Sequence, residues 1–250
     1  MKVIKDDEHC LLLNYFGIGG RFFLAVTVMT YFDFNNPQNP LKEQEMWPFV
    51  QEEFGKDAIH DMAMPKPRGE YLIWGKCFPP DGKPRAASQV EVRIGPLEKT
   101  LYIFGNRYWK KIAGIGTAIS DPEPFTVMPI TYHLAFGGEG FEKNPVGKGM
   151  VPVALPSGTH MQPLPNIEDP GNLVGSPDDK PDPRGFGPLD YTWPQRSKKL
   201  GTYDNTWFQE NWPFYPDDKN WTYFNAASSD QQKEDFWRGN ETIHLRGIHP

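Results

Sequence analysis

Residues 90–94 alternate apolar Val90, Val92 and Ile94 with charged Glu91 and Arg93. Successive side chains of an extended chain point to opposite faces, so this period of two predicts a half-buried β-strand. Its expected partner is 101–104, joined through Gly95-Pro96. Nearer the start, 10–16 and 22–32 are rich in aromatic and β-branched residues and are separated by Gly17-Ile18-Gly19-Gly20. That pattern predicts a long β-hairpin. Residues 41–54 have a weak helical pattern interrupted by Pro48. Residues 70–78 read as a further strand, closed by the turn Pro79-Pro80-Asp81-Gly82. The region up to about 130 is therefore expected to be mostly antiparallel sheet.

Between 151 and 188 the periodicity gives way to nine prolines and five glycines. A linker and a long ordered loop over a sheet both fit that composition. Leu155, Leu164, Ile167, Leu173, Val174 and Phe186 are apolar anchors that a solvated linker would not need, and they favour the loop. Ser229 and Gln232 have capping-box spacing, which predicts a short helix through Trp237 ended by Gly239. Residues 242–245 alternate like a strand in need of a partner, and on that ground the natural chain is expected to continue beyond 250.

Composition narrows the fold class. With 26 prolines and 24 glycines in 250 residues, turns and ordered loops are expected to dominate and a helical bundle is not expected. The expectation is a mainly β fold: a single antiparallel-sheet-rich domain over 1–250, sandwich or barrel-like, with a proline-rich covering loop and few short helices. Net charge −6 with scattered lysines and arginines offers no footprint for nucleic acid. The longest nearly apolar run, 22–32, is far short of the roughly 20 residues that span a bilayer. Acidic residues near the start do not suit a secretory signal. No membrane association is expected, and the location is read as cytoplasmic. Cys10 and Cys77 are too far apart for a metal-binding or redox motif and are read as buried free thiols.

Enzyme motifs fail one by one. In residues 131–149, TYHLAFGGEGFEKNPVGKG, a P-loop would need glycine where Glu142 stands and a hydroxyl where Gly149 stands. A dinucleotide fingerprint would need glycine at Lys143. Gly137, Gly138, Asn144, Pro145, Gly147 and Gly149 are therefore assigned to shaping the loop. The six histidines lack metal-ligand spacing, no nucleophile elbow is present, and neither metal nor cofactor is expected. The late carboxylates Asp204, Asp217, Asp218, Asp230 and Glu241 could supply a glycosidase pair, but turn and helix capping is the plainer use.

Five of eight tryptophans, Trp193, Trp207, Trp212, Trp221 and Trp237, fall in one late segment. Core is the default for most of them, and an interface is the next reading. Trp207, Trp212, Phe208, Tyr203 and Trp193, with Phe136 and Glu139 from the glycine-rich loop, are the candidate partner-binding residues.

Taken in order, the chain's motifs resemble a bacterial family. They include Lys66-Pro67-Arg68 with Glu70, Lys99 with Phe104-Gly105 and Arg107-x-Trp109, Ala135-Phe136-Gly137-Gly138, and Asn144-Pro145-x-Gly147-x-Gly149. Leu164-Pro165-Asn166-x-Glu168, Gly201-Thr202-Tyr203-Asp204, Phe224-Asn225-Ala226-Ala227 and Asp230-Gln231 continue the series, while Asn240 departs from it. The family is domain of unknown function family 2169, associated with type VI secretion and described as accessory proteins or effector adaptors. The resemblance implies a cytosolic adaptor or chaperone, without catalytic residues, that binds a toxin-bearing effector and loads it onto a VgrG trimer or its PAAR-type tip. The alternatives are a carbohydrate-active hydrolase using the late carboxylates and tryptophans, or a structural module of a larger protein.

Overall fold

A computed structural model describes residues 10–29, 32–33, 36–40, 64–112, 116–154, 157–158 and 160–249. The chain divides into two compact units, each assembled from two stretches of sequence. One comprises Met1–Pro67 and Lys198–Ala226, the other Arg68–Ser197 and Ala227–Pro250. No boundary falls within 151–188, so this stretch is not a linker between the units.

In the first unit, β1 (Cys10–Ile18) and β2 (Arg21–Met29) form the expected antiparallel hairpin. Gly19 and Gly20 close it at φ 52° and 76°. A two-residue turn with positive φ at both positions matches the twist of the flanking strands, which is why glycine fills both. The register pairs Leu13 with Val26, Tyr15 with Leu24 and Gly17 with Phe22, placing these side chains on one face. Asp204 opens the helix Asn205–Glu210, its side chain accepting a hydrogen bond from Trp207 N at 2.8 Å. Phe16, Tyr215, Trp221 and Phe224 form an aromatic cluster with ring centroids 5.5–6.2 Å apart. Lys219 is buried, its ammonium 4.8, 4.3 and 4.8 Å from the rings of Tyr215, Tyr223 and Phe224.

A four-stranded antiparallel sheet organises the second unit. Its strands are β3 (Ala87–Ile94), β4 (Leu97–Phe104), β5 (Ile167–Glu168) and β6 (Ile243–Arg246), in the order β5-β4-β3-β6. Val90, Val92, Leu101 and Ile103 point inward and are fully buried, as their alternation predicts. Each contributes roughly 1.5–3 kcal/mol of burial free energy. Phe186, Leu189, Trp193 and Tyr132 complete this core. The strand expected to lack a partner has one, because Ile243–Arg246 pairs with β3 along its length. The remaining ladders among the described residues are short, and all but one are antiparallel.

Three local expectations are corrected or bounded. Residues 70–78 are not one strand: only Gly69–Glu70 and Lys76–Cys77 are extended pairs, because the backbone between them changes partners. Tyr71 N donates to Gln231 O, Ile73 N to Phe186 O, and Gly75 O accepts from Ile130 N. Residues 229–237 are not a helix but a single turn, Ser229–Gln231, followed by the strand Gln232–Lys233. The glutamines expected inside the helix are spent on tertiary bonds: Gln231 Nε2 donates to Tyr71 O and Phe186 O, and Gln232 Nε2 to Ala227 O. The helical pattern at 41–54 and the anchor Leu155 lie outside the described residues, as does the side chain of Cys10. Cys77 is a buried free thiol. The loop 151–188 packs within its unit through buried Leu164, Ile167, Val174 and Phe186, whereas Leu173 is exposed. Among the described residues no helix is long and apolar enough to cross a membrane.

Candidate functional site

An exposed apolar surface of the first unit begins on the hairpin. Leu13, Tyr15, Phe22, Val26 and Val28, which share one face, are all exposed. Phe214 connects this face to the tryptophan segment. Its ring lies 5.0 Å from that of Phe22, and its carbonyl accepts a hydrogen bond from Trp207 Nε1 at 2.9 Å. From Trp207 the rings continue to Tyr203 at 4.6 Å and to Trp212 at 6.0 Å, with Phe208 6.4 Å from Trp212. Trp212 and Phe208 are each 62% exposed, and Tyr203 is 42% exposed. Trp207, half-buried, holds the others in place through its indole hydrogen bond and the helix cap on its backbone. A row of aromatic rings set on a hairpin and a capped helix offers rigid area at low entropic cost.

Two of the sequence candidates are not at a surface. Trp193 is 6% exposed and meets Tyr132 edge to face at 5.4 Å, and Phe136 is 5% exposed against Phe141. Both rings are already enclosed by their own unit and have no free face for a partner. Glu139 is exposed.

Residues 131–149 fold back on themselves, with Phe136–Gly137 pairing in parallel with Lys148–Gly149. Asn144 is fully buried at the centre, its Nδ2 donating to Tyr132 O at 2.8 Å and Phe136 O at 3.0 Å. A Cβ on Gly137 would lie 2.1 Å from Asn144 O, so no other residue fits there. Both lysines of the loop face protein acceptors: Lys143 pairs with Asp182 at 2.5 Å, and Lys148 donates to Asn166 Oδ1 at 2.6 Å.

Several of the motif residues behind the family resemblance, Lys99, Arg107, Glu168 and Asp230 among them, meet in buried polar networks in the second unit. Lys99, 4% exposed, donates to Gln231 Oε1 at 2.7 Å, Ser228 Oγ at 2.9 Å and Asp230 Oδ1 at 3.1 Å. Arg184 bridges Asp230 and Asp169. Burial pushes the Lys99 ammonium down to about 8 against the pull of Asp230. Burial also pushes the Asp230 carboxyl up, but Lys99, Ser228 and Arg184 prevail and hold it below its ordinary range. A second buried pair joins Arg107 to Glu168, whose other oxygen accepts from Val174 N at 2.9 Å, while the Arg107 guanidinium lies 3.8 Å over the ring of Phe104. Such pairs fix the register of distant segments, since each partner is costly to bury alone.

Three of the late carboxylates cap backbone as expected, whereas Asp230 is instead engaged by Lys99 and Arg184. Asp204 caps a helix, Asp218 accepts from Thr202 N at 3.0 Å, and Glu241 accepts from Arg238 N and Gly239 N. Sequence reasoning missed the apolar hairpin face and the Lys99 network. For the first, both hairpin faces are apolar, with Leu12 and Phe16 on the face opposite Leu13 and Tyr15, so the sequence held no local signal of which face is exposed. The signal for the second lay in a lone lysine at an inward position of β4.

No curated protein and no solved structure matches the chain. Residues 19–250 match the bacterial family described as uncharacterized protein conserved in bacteria (DUF2169), and to that family the chain belongs.

Proposed function

We propose that this protein is a non-enzymatic adaptor that holds a polypeptide partner on the aromatic surface of its first unit. The observation that carries the proposal is the continuity of the exposed hairpin face with Tyr203, Phe208 and Trp212 through Phe214. Large apolar patches on a folded protein mark sites of association, and aromatic anchors supply most of the binding free energy. Following the resemblance, the partner in this proposal is a type VI secretion effector, taken up in the bacterial cytoplasm and handed to a VgrG or PAAR-type spike protein. The test is the affinity of the full chain for the effector encoded beside it, measured by calorimetry. Val26→Lys with Val28→Lys, both on exposed positions, is expected to abolish binding with the melting temperature unchanged. Undiminished affinity in that variant overturns the proposal.

A further inference from the structure

The second unit carries an open groove of about 1020 Å³ on the outer face of its four-stranded sheet. Tyr102 and Phe104 form part of its lining, alternating outward on β4 while Leu101 and Ile103 fill the core behind them. Their rings stand edge to face at 6.3 Å, and the buried Arg107 guanidinium backs that of Phe104. Phe78 and Leu173 add exposed apolar walls.

Arg85 and Arg246 also line this groove. Their backbones are fixed: Arg85 exchanges two hydrogen bonds with Phe125, at 3.0 and 2.9 Å, and Arg246 lies on β6. Their guanidiniums, in contrast, have no ion-pair partner among the described residues. The cross-strand neighbour of Arg246 is Glu91, and that carboxylate is taken by Arg93 at 2.9 Å. Among the described residues Asp81 is the only carboxylate in the lining, so against Arg85 and Arg246 the groove is net positive in a chain of net charge −6.

We infer that this groove binds a short acidic polypeptide segment in which carboxylates flank an aromatic or aliphatic side chain. Two guanidiniums on fixed backbone, without an ion-pair partner among the described residues, match carboxylates in geometry and charge, and the rings of Tyr102 and Phe104 match an apolar side chain. The groove is open to solvent and lies at the upper end of small-molecule pocket volumes, about 300–1,000 Å³, which suits an extended chain better than an enclosed ligand. Nucleic acid and anionic membranes need many cations, which the net negative charge does not supply. The inference does not rest on the aromatic surface of the first unit, which belongs to other segments of the chain.

The test is fluorescence anisotropy of the full chain with a short labelled peptide alternating Asp with Leu and Phe. A second peptide has Lys in place of Asp, and decanoate serves as a small amphiphilic anion. The acidic peptide is expected to bind, with affinity that falls as salt is raised, and the lysine peptide is expected not to bind. Arg85→Gln and Arg246→Gln should each weaken binding by about fivefold, the upper end for an exposed pair, and together they should do so multiplicatively. Both arginines are exposed, so unchanged melting temperatures will certify the fold of the variants. No binding of the acidic peptide, equal binding of the lysine peptide, binding indifferent to both substitutions, or capture of decanoate alone each overturns the inference.

Discussion

Lys99 and Asp230 stand 131 positions apart in the chain and meet at 3.1 Å in the interior of the second unit. Lys99 is carried by β4, and Asp230 by the turn Ser229–Gln231. The lysine therefore ties the central sheet to a stretch with little regular structure of its own.

Removing that tie leaves acceptors buried without a donor. Lys99→Met is expected to cost about 3–5 kcal/mol, read as a lower denaturant midpoint. Adding Asp230→Asn to Lys99→Met should cost less than the sum of the two single losses, because both changes break the same pair. Strict additivity would show that the pair is not coupled.

Exposure separates the tryptophans into two classes that truncation should distinguish. Trp212→Ala is expected to change stability by no more than about 0.5 kcal/mol, because the ring is largely in solvent. Its affinity for the proposed effector partner should fall by about 2 kcal/mol, roughly thirtyfold. Trp193→Ala should instead lose about 3–5 kcal/mol of stability. Thermal unfolding beside calorimetric binding checks both, and matching profiles for the two variants would remove the distinction.

Alkaline pH should first stabilise and then destabilise the protein. Burial lowers Lys219 from 10.5 to about 8, so between those values the unfolded chain holds more protons and stability rises with pH. Lys99 acts in the same direction. Burial raises Tyr203 from 10.0 to about 12, so in that window the folded state holds the extra proton and stability falls as pH rises. Tyr71 and Tyr132, raised by burial and by Asp230, steepen that fall. Denaturant midpoints measured from pH 7 to 11 should pass through a maximum near 10, and in Lys219→Met the rise should shrink to the share carried by Lys99.

The glycine-rich loop is expected to be intolerant at Gly137. Alanine there brings a Cβ to 2.1 Å from the backbone oxygen of Asn144, which cannot swing away as a flexible side chain would. A loss of about 1–3 kcal/mol is expected, measured by thermal unfolding, whereas alanine at Gly140, which has open space, should cost less. Equal losses would mean that the close approach to Asn144 is not what matters.

How much of this was legible depended on the range of the interactions. Strands β3 and β4 could be read because alternation is local: Val90, Val92, Leu101 and Ile103 declare their faces within a few residues. The hairpin could be placed from its glycines, but both of its faces are largely apolar, so no local pattern tells which is covered. Ser229 and Gln232 carry a true capping pattern that loses to tertiary bonds from Gln231 and Gln232, whose partners lie far off in sequence. Tryptophan count flagged the right segment without ranking its members, since Trp193 and Trp212 differ only in what folds around them. Arg85 and Arg246 become neighbours of one groove only once the sheet is assembled.

The interleaving of the two units sets an order of events during synthesis. The hairpin of the first unit leaves the ribosome early, but the segment Lys198–Ala226 that completes its unit follows only after Arg68–Ser197. At typical elongation rates that interval is on the order of ten seconds. Throughout it, Phe16 and Phe22 lack Trp221 and Phe214, and the hairpin shows apolar residues on both faces to a crowded cytosol. A nascent chain in this state is a natural client for a holdase chaperone. Fragments ending between Ser197 and Ala226 should accordingly be recovered as aggregates, although the second unit's sheet lies mostly ahead of the cut.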